Sequence, residues 1–226
     1  MSRTKDLAVN TAILTFGKIC TQFVSFLLLP LYTAILEPEV YGISDLFNSY
    51  IYLIIPIVSL MLDQGLFRFL LECRDDEKRQ KALLSTVFCI NLIEILFYAV
   101  IYILIQQYIH SQYKIFILVD VSLNVLLNTF LQYARGIGKN GMYAFASFLS
   151  ATLIVISNVV LLVVLRMGAM GLFLSTVVGR GLALAVIMIM LRFWKLCSFK
   201  LFSKEEARLL IRYSIPFIPN QLSWWT

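Results

Sequence analysis

The chain has 226 residues and a formal net charge of +6; 60% of it is hydrophobic and only 14% charged. Soluble domains run nearer half apolar and a quarter charged. The apolar excess is gathered into long runs separated by short charged clusters, which excludes an ordinary soluble core and points to a bilayer. The basic residues sit mostly between the runs, so they fit membrane orientation better than nucleic-acid binding.

Arg3 and Lys5 precede a first run, Leu7 to Leu36. It is far longer than the apolar region of a signal peptide and no A-x-A site closes it, so it reads as an uncleaved first span. Five further runs follow: Gly42 to Phe67, Ala82 to Ile109, Lys114 to Tyr133, Gly141 to Leu165 and Met170 to Phe193. Each reaches the ~20 residues that cross a hydrocarbon core as a helix. Sustained period-2 alternation is missing, and in lipid a helix satisfies its own backbone, so strands are excluded.

Ser203 and Glu206 make an S-x-x-E capping box. It predicts a short amphipathic helix with Leu209, Leu210 and Ile211 toward lipid and Arg208 and Arg212 toward headgroups. A seventh run begins near Ser214, with Pro216 and Pro219 in its opening turns, where early N–H groups have no partner anyway. It stops at Thr226 on Trp224 and Trp225, and so reads as cut within a helix. The sequence thus predicts an all-α membrane protein. Residues 1–200 form a six-helix lobe, and residues 201–226 a cytoplasmic amphipathic linker and the truncated start of a second lobe.

Loop charges set the orientation. The N-terminal tail, the second-to-third loop (Arg68, Arg74, Lys78, Arg79, Lys81), the fourth-to-fifth (Arg135, Lys139) and the sixth-to-seventh (Arg192, Lys195, Lys200, Lys204, Arg208, Arg212) are basic. The alternate loops hold only Lys114 and Arg166. The positive-inside rule places the basic set, and the N-terminus, in the cytoplasm of a multi-pass plasma-membrane protein. The loop with Glu37, Pro38 and Glu39 faces outward.

Polar residues inside the runs carry the functional information. Thr11, Thr15, Lys18, Gln22 and Ser25 share one stripe of the first helix; Asp45, Asn48, Tyr52, Ser59 and Asp63 share one of the second; Asp120, Asn124, Asn128 and Arg135 share one of the fourth. Such stripes face a neighbouring helix or a water-filled cavity. Lys18 lies roughly 16 Å into its span at 1.5 Å per residue, near the middle of a ~30 Å core. Arg180 is similarly central in the sixth run. A cation at that depth is costly unless hydrated or paired. Two readings stay open: both cations face a cavity and bind an anionic group, or they pair internally with Asp45, Asp120 or Glu94. Arg68, at the cytoplasmic end of the second run, either guides an anionic headgroup inward or anchors the helix. The candidate substrate-binding set is Lys18, Arg180, Gln22, Asp45, Asn48 and Arg68. Gly171, Ser175, Gly179 and Ala183 place a small residue at every fourth position of the sixth run, which predicts close helix packing.

Catalytic signals are absent. Gly136 to Gly141 matches G-x-G-x-x-G but follows an apolar helix with no strand before it, so it reads as a tight turn. Asp75 and Asp76 are a solvated pair in a basic loop, and a lone pair rarely suffices for Mg²⁺. His110 has no Cys or Ser partner. Cys20, Cys73, Cys89 and Cys197 show no metal spacing and are expected as reduced thiols. The chain is read as a non-enzyme with no cofactor and no metal.

Three stretches and a fourth carry a family resemblance. Leu27 to Tyr32 (LLLPLY), Glu39 to Tyr50 (EVYGISDLFNSY) and Asp63 to Lys81 (DQGLFRFLLECRDDEKRQK) resemble the Wzx-type polysaccharide-biosynthesis flippases of the multidrug/oligosaccharidyl-lipid/polysaccharide exporter superfamily. Tyr213 to Trp225 (YSIPFIPNQLSWW) resembles the opening of that family's seventh span. The resemblance implies the N-terminal half of a transporter of twelve to fourteen helices, built as two six-helix lobes about an axis along the membrane normal. It implies a cationic cavity between the lobes that takes the diphosphate and sugars of a polyprenyl-linked oligosaccharide, with rocking of the lobes exposing it to each side in turn. Lys18, and more weakly Arg180, fit the diphosphate-contacting role. Capsule or O-antigen export in a bacterium is the implied setting, with membrane lipids, a missing second lobe and H⁺ or Na⁺ as a coupling ion among the partners. A cation-coupled multidrug antiporter using Asp45, Asp63 and Asp120 is the second reading. A membrane-bound glycan polymerase or glycosyltransferase is the third, and the short loops argue against it.

Overall fold

A computed structural model describes residues 37–108 and 113–223, together with scattered positions between 11 and 30. Lys18, Cys20 and His110 lie outside the described residues. The described elements are helices: α1 Pro38–Val58, α2 Leu62–Glu72, α3 Glu77–Ile105, α4 Lys114–Gly136, α5 Asn140–Asn158, α6 Ala169–Leu191, α7 Phe193–Leu196, α8 Lys204–Ser214 and α9 Phe217–Ser223. Among the described residues, five segments are long and apolar enough to cross a membrane: Tyr41–Val58, Glu77–Ile105, Lys114–Gly136, Asn140–Val164 and Ala169–Leu191.

The third, fourth and sixth runs appear as single helices with ends moved by a few residues. The third starts earlier than its apolar pattern because Asp76 caps it, its carboxylate accepting the Arg79 N–H at 3.0 Å. The second run is not one helix. It breaks at Ser59–Met61, where Leu60 (φ 44°) and Met61 (φ 54°) both take left-handed backbone and the Ser59 hydroxyl accepts the Met61 N–H at 3.2 Å. Apolar periodicity is blind to such a break, because the residues on either side are equally apolar. The fifth run ends in a π-helical turn, Val159–Val164. The Gly136–Gly141 segment is the turn its composition suggested: Gly138 takes φ +81° and the Lys139 N–H closes back on the Ala134 carbonyl at 2.8 Å.

Two apolar clusters sit at opposite ends of the lobe. Leu62, Leu66 and Leu70 of α2 pack with Leu83, Leu84 and Val87 of α3, Phe130 of α4 and Ile187 of α6 at the end where the basic loops gather. Phe47 and Ile51 of α1, Tyr98 and Tyr102 of α3, Val121 of α4 and Phe173 of α6 pack at the other. Along α3, Asn91 and Glu94 fall between the two clusters. Lipid tails are as apolar as leucine, so these clusters hold by close fit and dispersion rather than by exclusion of water.

Close fit needs small residues where helices cross. A Cβ added to Gly179 would lie 2.4 Å from Ile154 Cγ1 and 2.8 Å from the Ile154 backbone nitrogen. One on Gly136 would lie 2.7 Å from Leu70 Cβ. The small-residue face of the sixth run therefore packs against α5, as its spacing suggested.

The linker helix α8 corrects an expectation. Leu210 is fully buried against Gly65 of α2 and Ala207 and Ser214 are buried beside it, while Leu209 is exposed; Arg208 and Arg212 stay exposed. The helix docks on the lobe through its 207–210–214 face, at helical spacing, instead of turning all its leucines to lipid. Ser203 accepts the Glu206 N–H at 3.3 Å, as in a capping box, but the Glu206 carboxylate reaches Arg79 at 2.7 Å and the Ser203 N–H donates to Thr86. Both contacts tie α8 to α3. Pro216 falls between α8 and α9, and Pro219 lies in the first turn of α9.

Candidate functional site

The break between α1 and α2 opens onto a polar cavity of about 400 Å³ in the middle of the lobe. Tyr52 and Pro56 of α1, Ser59 and Met61 of the break, Asp63 and Gln64 of α2, Asn91 of α3, Asn124, Asn128, Thr129 and Gln132 of α4, Arg180 of α6 and Gln221 of α9 line it. The helix pattern explains the α4 contribution: Asn124, Asn128 and Gln132 stand four apart, on one stripe. Six of these side chains are carboxamides. Asn128 donates to Asn124 at 2.6 Å, Asn91 donates to Thr129 at 2.6 Å and Gln64 donates to Asp63 at 2.7 Å. Asn91 Oδ1 and Gln132 Oε1 are buried and carry no partner. The cavity is preorganised, with acceptors left over.

Arg180 does two things at once. It lines the cavity, and its Nη1 donates to Asp120 Oδ2. Arg180 is 14% and Asp120 4% exposed in their side chains. The pair settles the internal-partner reading of Arg180 in favour of Asp120, without removing it from the cavity wall. Asp120 in turn faces a smaller pocket of about 90 Å³, where Asp45, Asn48, Ser44 and Thr176 also stand. The ion pair thus stands between two polar spaces.

The predicted set is divided accordingly. Arg180 lies on the central cavity, while Asp45 and Asn48 line the smaller pocket beside its partner. Gln22 is helical and exposed and lines neither. Arg68 is half-exposed and paired with Glu72 at 3.0 Å, one turn along α2, and lines neither. Lys18 lies outside the described residues. Among the described residues lining the central cavity Arg180 is the one cation, and it is neutralised.

The sequence reading left Gln64, Asn91, Thr129, Gln132 and Gln221 unassigned. The i, i+4, i+8 spacing of Asn124, Asn128 and Gln132 was a signal available for one of them. Asn91 and Gln221 are single amides on otherwise apolar or short segments, and only the fold brings them together. Arg135, last of the α4 polar stripe, stacks on Phe67 at 4.4 Å instead of entering the cavity. Outside the spans, burial pushes the Cys73 thiol up, against the pull of the Arg79 guanidinium. Among the described residues, no His, Cys, Asp and Glu group is placed to hold a metal.

The family model for polysaccharide biosynthesis proteins matches residues 7–225. The chain belongs to that family. In structure it is similar to a mutant of the MATE transporter VcmN of Vibrio cholerae, with a TM-score of 0.80 and 16% identity over 96% of this chain and 53% of that one. It is similar to an outward-facing multidrug resistance MATE family transporter of the MOP superfamily, with a TM-score of 0.73 and 17% identity over 95% and 52%. A third similar structure is a MOP superfamily transporter from Pyrococcus furiosus whose binding pocket is described as of reverse polarity; here the TM-score is 0.72 and the identity 18% over 96% and 52%. The chain thus spans about half the length of the structures it matches, and these likenesses show its fold. None of the curated protein sequences matches it significantly.

Proposed function

We propose that this chain is the N-terminal lobe of a flippase that moves a polyprenyl-diphosphate-linked oligosaccharide from the cytoplasmic to the outer leaflet by alternating access, for export of a cell-surface polysaccharide. The observation that carries the reading is the carboxamide-lined cavity at mid-lobe. A carboxamide offers a donor and an acceptor at once, which suits the paired hydroxyls of a saccharide. The Arg180–Asp120 pair cancels the one cation on the wall, so the described lining has no surplus positive charge for a diphosphate. In this reading the diphosphate is met by Lys18 and by the second lobe. Family membership supports a polysaccharide cargo. The basic loops support a cytoplasmic N-terminus, and a plasma membrane with bacterial surface glycans is the setting that this reading implies.

A multidrug antiporter, as in the similar MATE structure, is favoured by one observation: Asp63 lies on the cavity wall with a carboxylate for a cation. Gln64 already donates to that carboxylate, and the surrounding amides outnumber it. Binding to the purified full-length protein tests the choice. Asn128→Leu removes two polar partners at once and is expected to weaken binding of a lipid-linked oligosaccharide by about 2–10-fold, the worth of about one hydrogen bond. Binding of the same polyprenyl diphosphate without sugars is expected unchanged. Equal loss for both lipids in Asn128→Leu would refute a sugar-reading role, whereas Lys18→Ala is expected to weaken both lipids alike, because both carry the diphosphate.

A further inference from the structure

We infer that Glu94 is a proton-binding site inside the membrane, at the head of an apolar cavity that lies behind the α1–α2 break. The inference does not depend on the cargo. The cavity measures about 540 Å³ and lies between Ile54, Ile57 and Leu60 on one side and Phe97, Ile101 and Ile105 of α3 on the other. Leu60 lines it while Met61 lines the polar cavity, so the break is the partition between the two spaces.

Both Glu94 carboxyl oxygens are buried and neither has a hydrogen-bond partner. Tyr98, one turn along α3, is 7% exposed, lines the same cavity and also has a buried, unpartnered hydroxyl. The groups facing Glu94 are known from each side. Tyr50 lines the cavity from α1, Tyr102 from α3 gives its hydroxyl to the Lys114 carbonyl, and Asp63 of α2 is the charged residue within electrostatic reach. Among the described residues no cation faces it. An ionised carboxylate with no donor, no counter-ion and a like charge nearby is costly in hydrocarbon. A proton removes that cost with one oxygen. A hard metal cation needs about six oxygens, and these walls offer one carboxyl and tyrosine hydroxyls among aliphatic side chains. The site therefore selects a proton over a sodium ion.

The position gives the proton a consequence. Glu94 can ionise only if water or a donor reaches its buried oxygens. The backbone beside it is already the weakest place in α1–α2, with two consecutive left-handed non-glycine residues. Movement at this break would let water reach the carboxyl and release the proton.

Carbodiimide labelling tests this. In the whole protein in liposomes, dicyclohexylcarbodiimide adds to a protonated carboxyl in an apolar setting, the carboxyl proton going to a reagent nitrogen and the oxygen to its central carbon. Mass spectrometry of the α3 peptide is expected to find the adduct on Glu94 and none in Glu94→Gln. Labelling is expected to fall about tenfold per pH unit above the midpoint of a single-proton titration. An unlabelled Glu94 in a protein whose Ile101→Glu variant does label would overturn the proposal. So would pH-independent labelling, or protection by sodium that equal potassium does not give. Infrared difference spectra of the same two proteins decide without reagent access: a protonated-carboxyl C=O band lost in Glu94→Gln is expected, and no such loss would overturn the proposal.

Discussion

The close crossing of α5 and α6 at Gly179 gives a prediction that can be worked from distances. A methyl group there would meet Ile154 Cγ1 at 2.4 Å, the Ile154 nitrogen at 2.8 Å and its Cα at 3.0 Å. The side-chain atom can rotate away, but the two backbone atoms belong to a helix and cannot. Gly179→Ala must therefore push the helices apart by several tenths of an ångström along their shared face. Overpacking of this kind costs about 1–3 kcal/mol. Two residues on, a Cβ at Gly181 meets one atom, Leu123 Cδ1, at 3.8 Å, which is ordinary contact. Gly181→Ala should cost nothing and gain up to about 1 kcal/mol from the better helix propensity of alanine. The assay is thermal stability of the purified protein in one detergent, followed by fluorescence-detected size exclusion. At about 2–4 °C per kcal/mol for a chain of this size, Gly179→Ala should melt several degrees below the parent and Gly181→Ala at or above it. Equal melting of the two variants would refute the crossing geometry.

Three further outcomes follow from other contacts. Arg180→Gln or Asp120→Asn alone leaves a buried charge without its partner and should cost about 3–5 kcal/mol, whereas the double variant should recover most of that loss in a double-mutant thermal cycle. Because burial raises the Cys73 thiol, less of it is thiolate at neutral pH, so maleimide should label it far more slowly than an introduced Asp75→Cys, and detergent denaturation should abolish the difference. Glu206→Gln should weaken the docking of α8 by at most about 1 kcal/mol, since Arg79 is 37% exposed in its side chain, and should speed hydrogen exchange in Lys204–Ser214 more than in α4.

Much of the lobe was legible because bilayers are demanding. Run lengths gave five spans found among the described residues, though one of those runs is broken, loop charges gave a consistent alternation, and the spacing of Gly171, Ser175, Gly179 and Ala183 gave a close helix crossing, whose partner the structure shows to be α5. The stripe of Asp45, Asn48, Tyr52, Ser59 and Asp63 was legible as facing a neighbouring helix or a cavity, and the structure divides it between two pockets. What could not be read has physical causes. The break at Ser59–Met61 is set by backbone dihedrals that leave no mark in apolar periodicity. The Asp120–Arg180 pair joins α4 to α6, and three acidic partners were equally available by sequence. Arg68 could be read as a headgroup guide or as an anchor of the helix end, and no sequence signal singled out its pairing with Glu72 one turn away. The face of α8 was misjudged because Leu209, Leu210 and Ile211 cannot all point one way. The 207–210–214 spacing decides which one is buried. Asn91 and Gln221 join the cavity only through tertiary packing.

The most direct measurement is leaflet translocation by the full-length protein in proteoliposomes, comparing a fluorescent polyprenyl-diphosphate oligosaccharide with an organic cation. A sugar-dependent movement of the lipid-linked oligosaccharide, reduced in Asn128→Leu and with no accompanying export of the cation, is the predicted result. Gradient-driven export of the cation with no movement of the glycolipid would contradict the account.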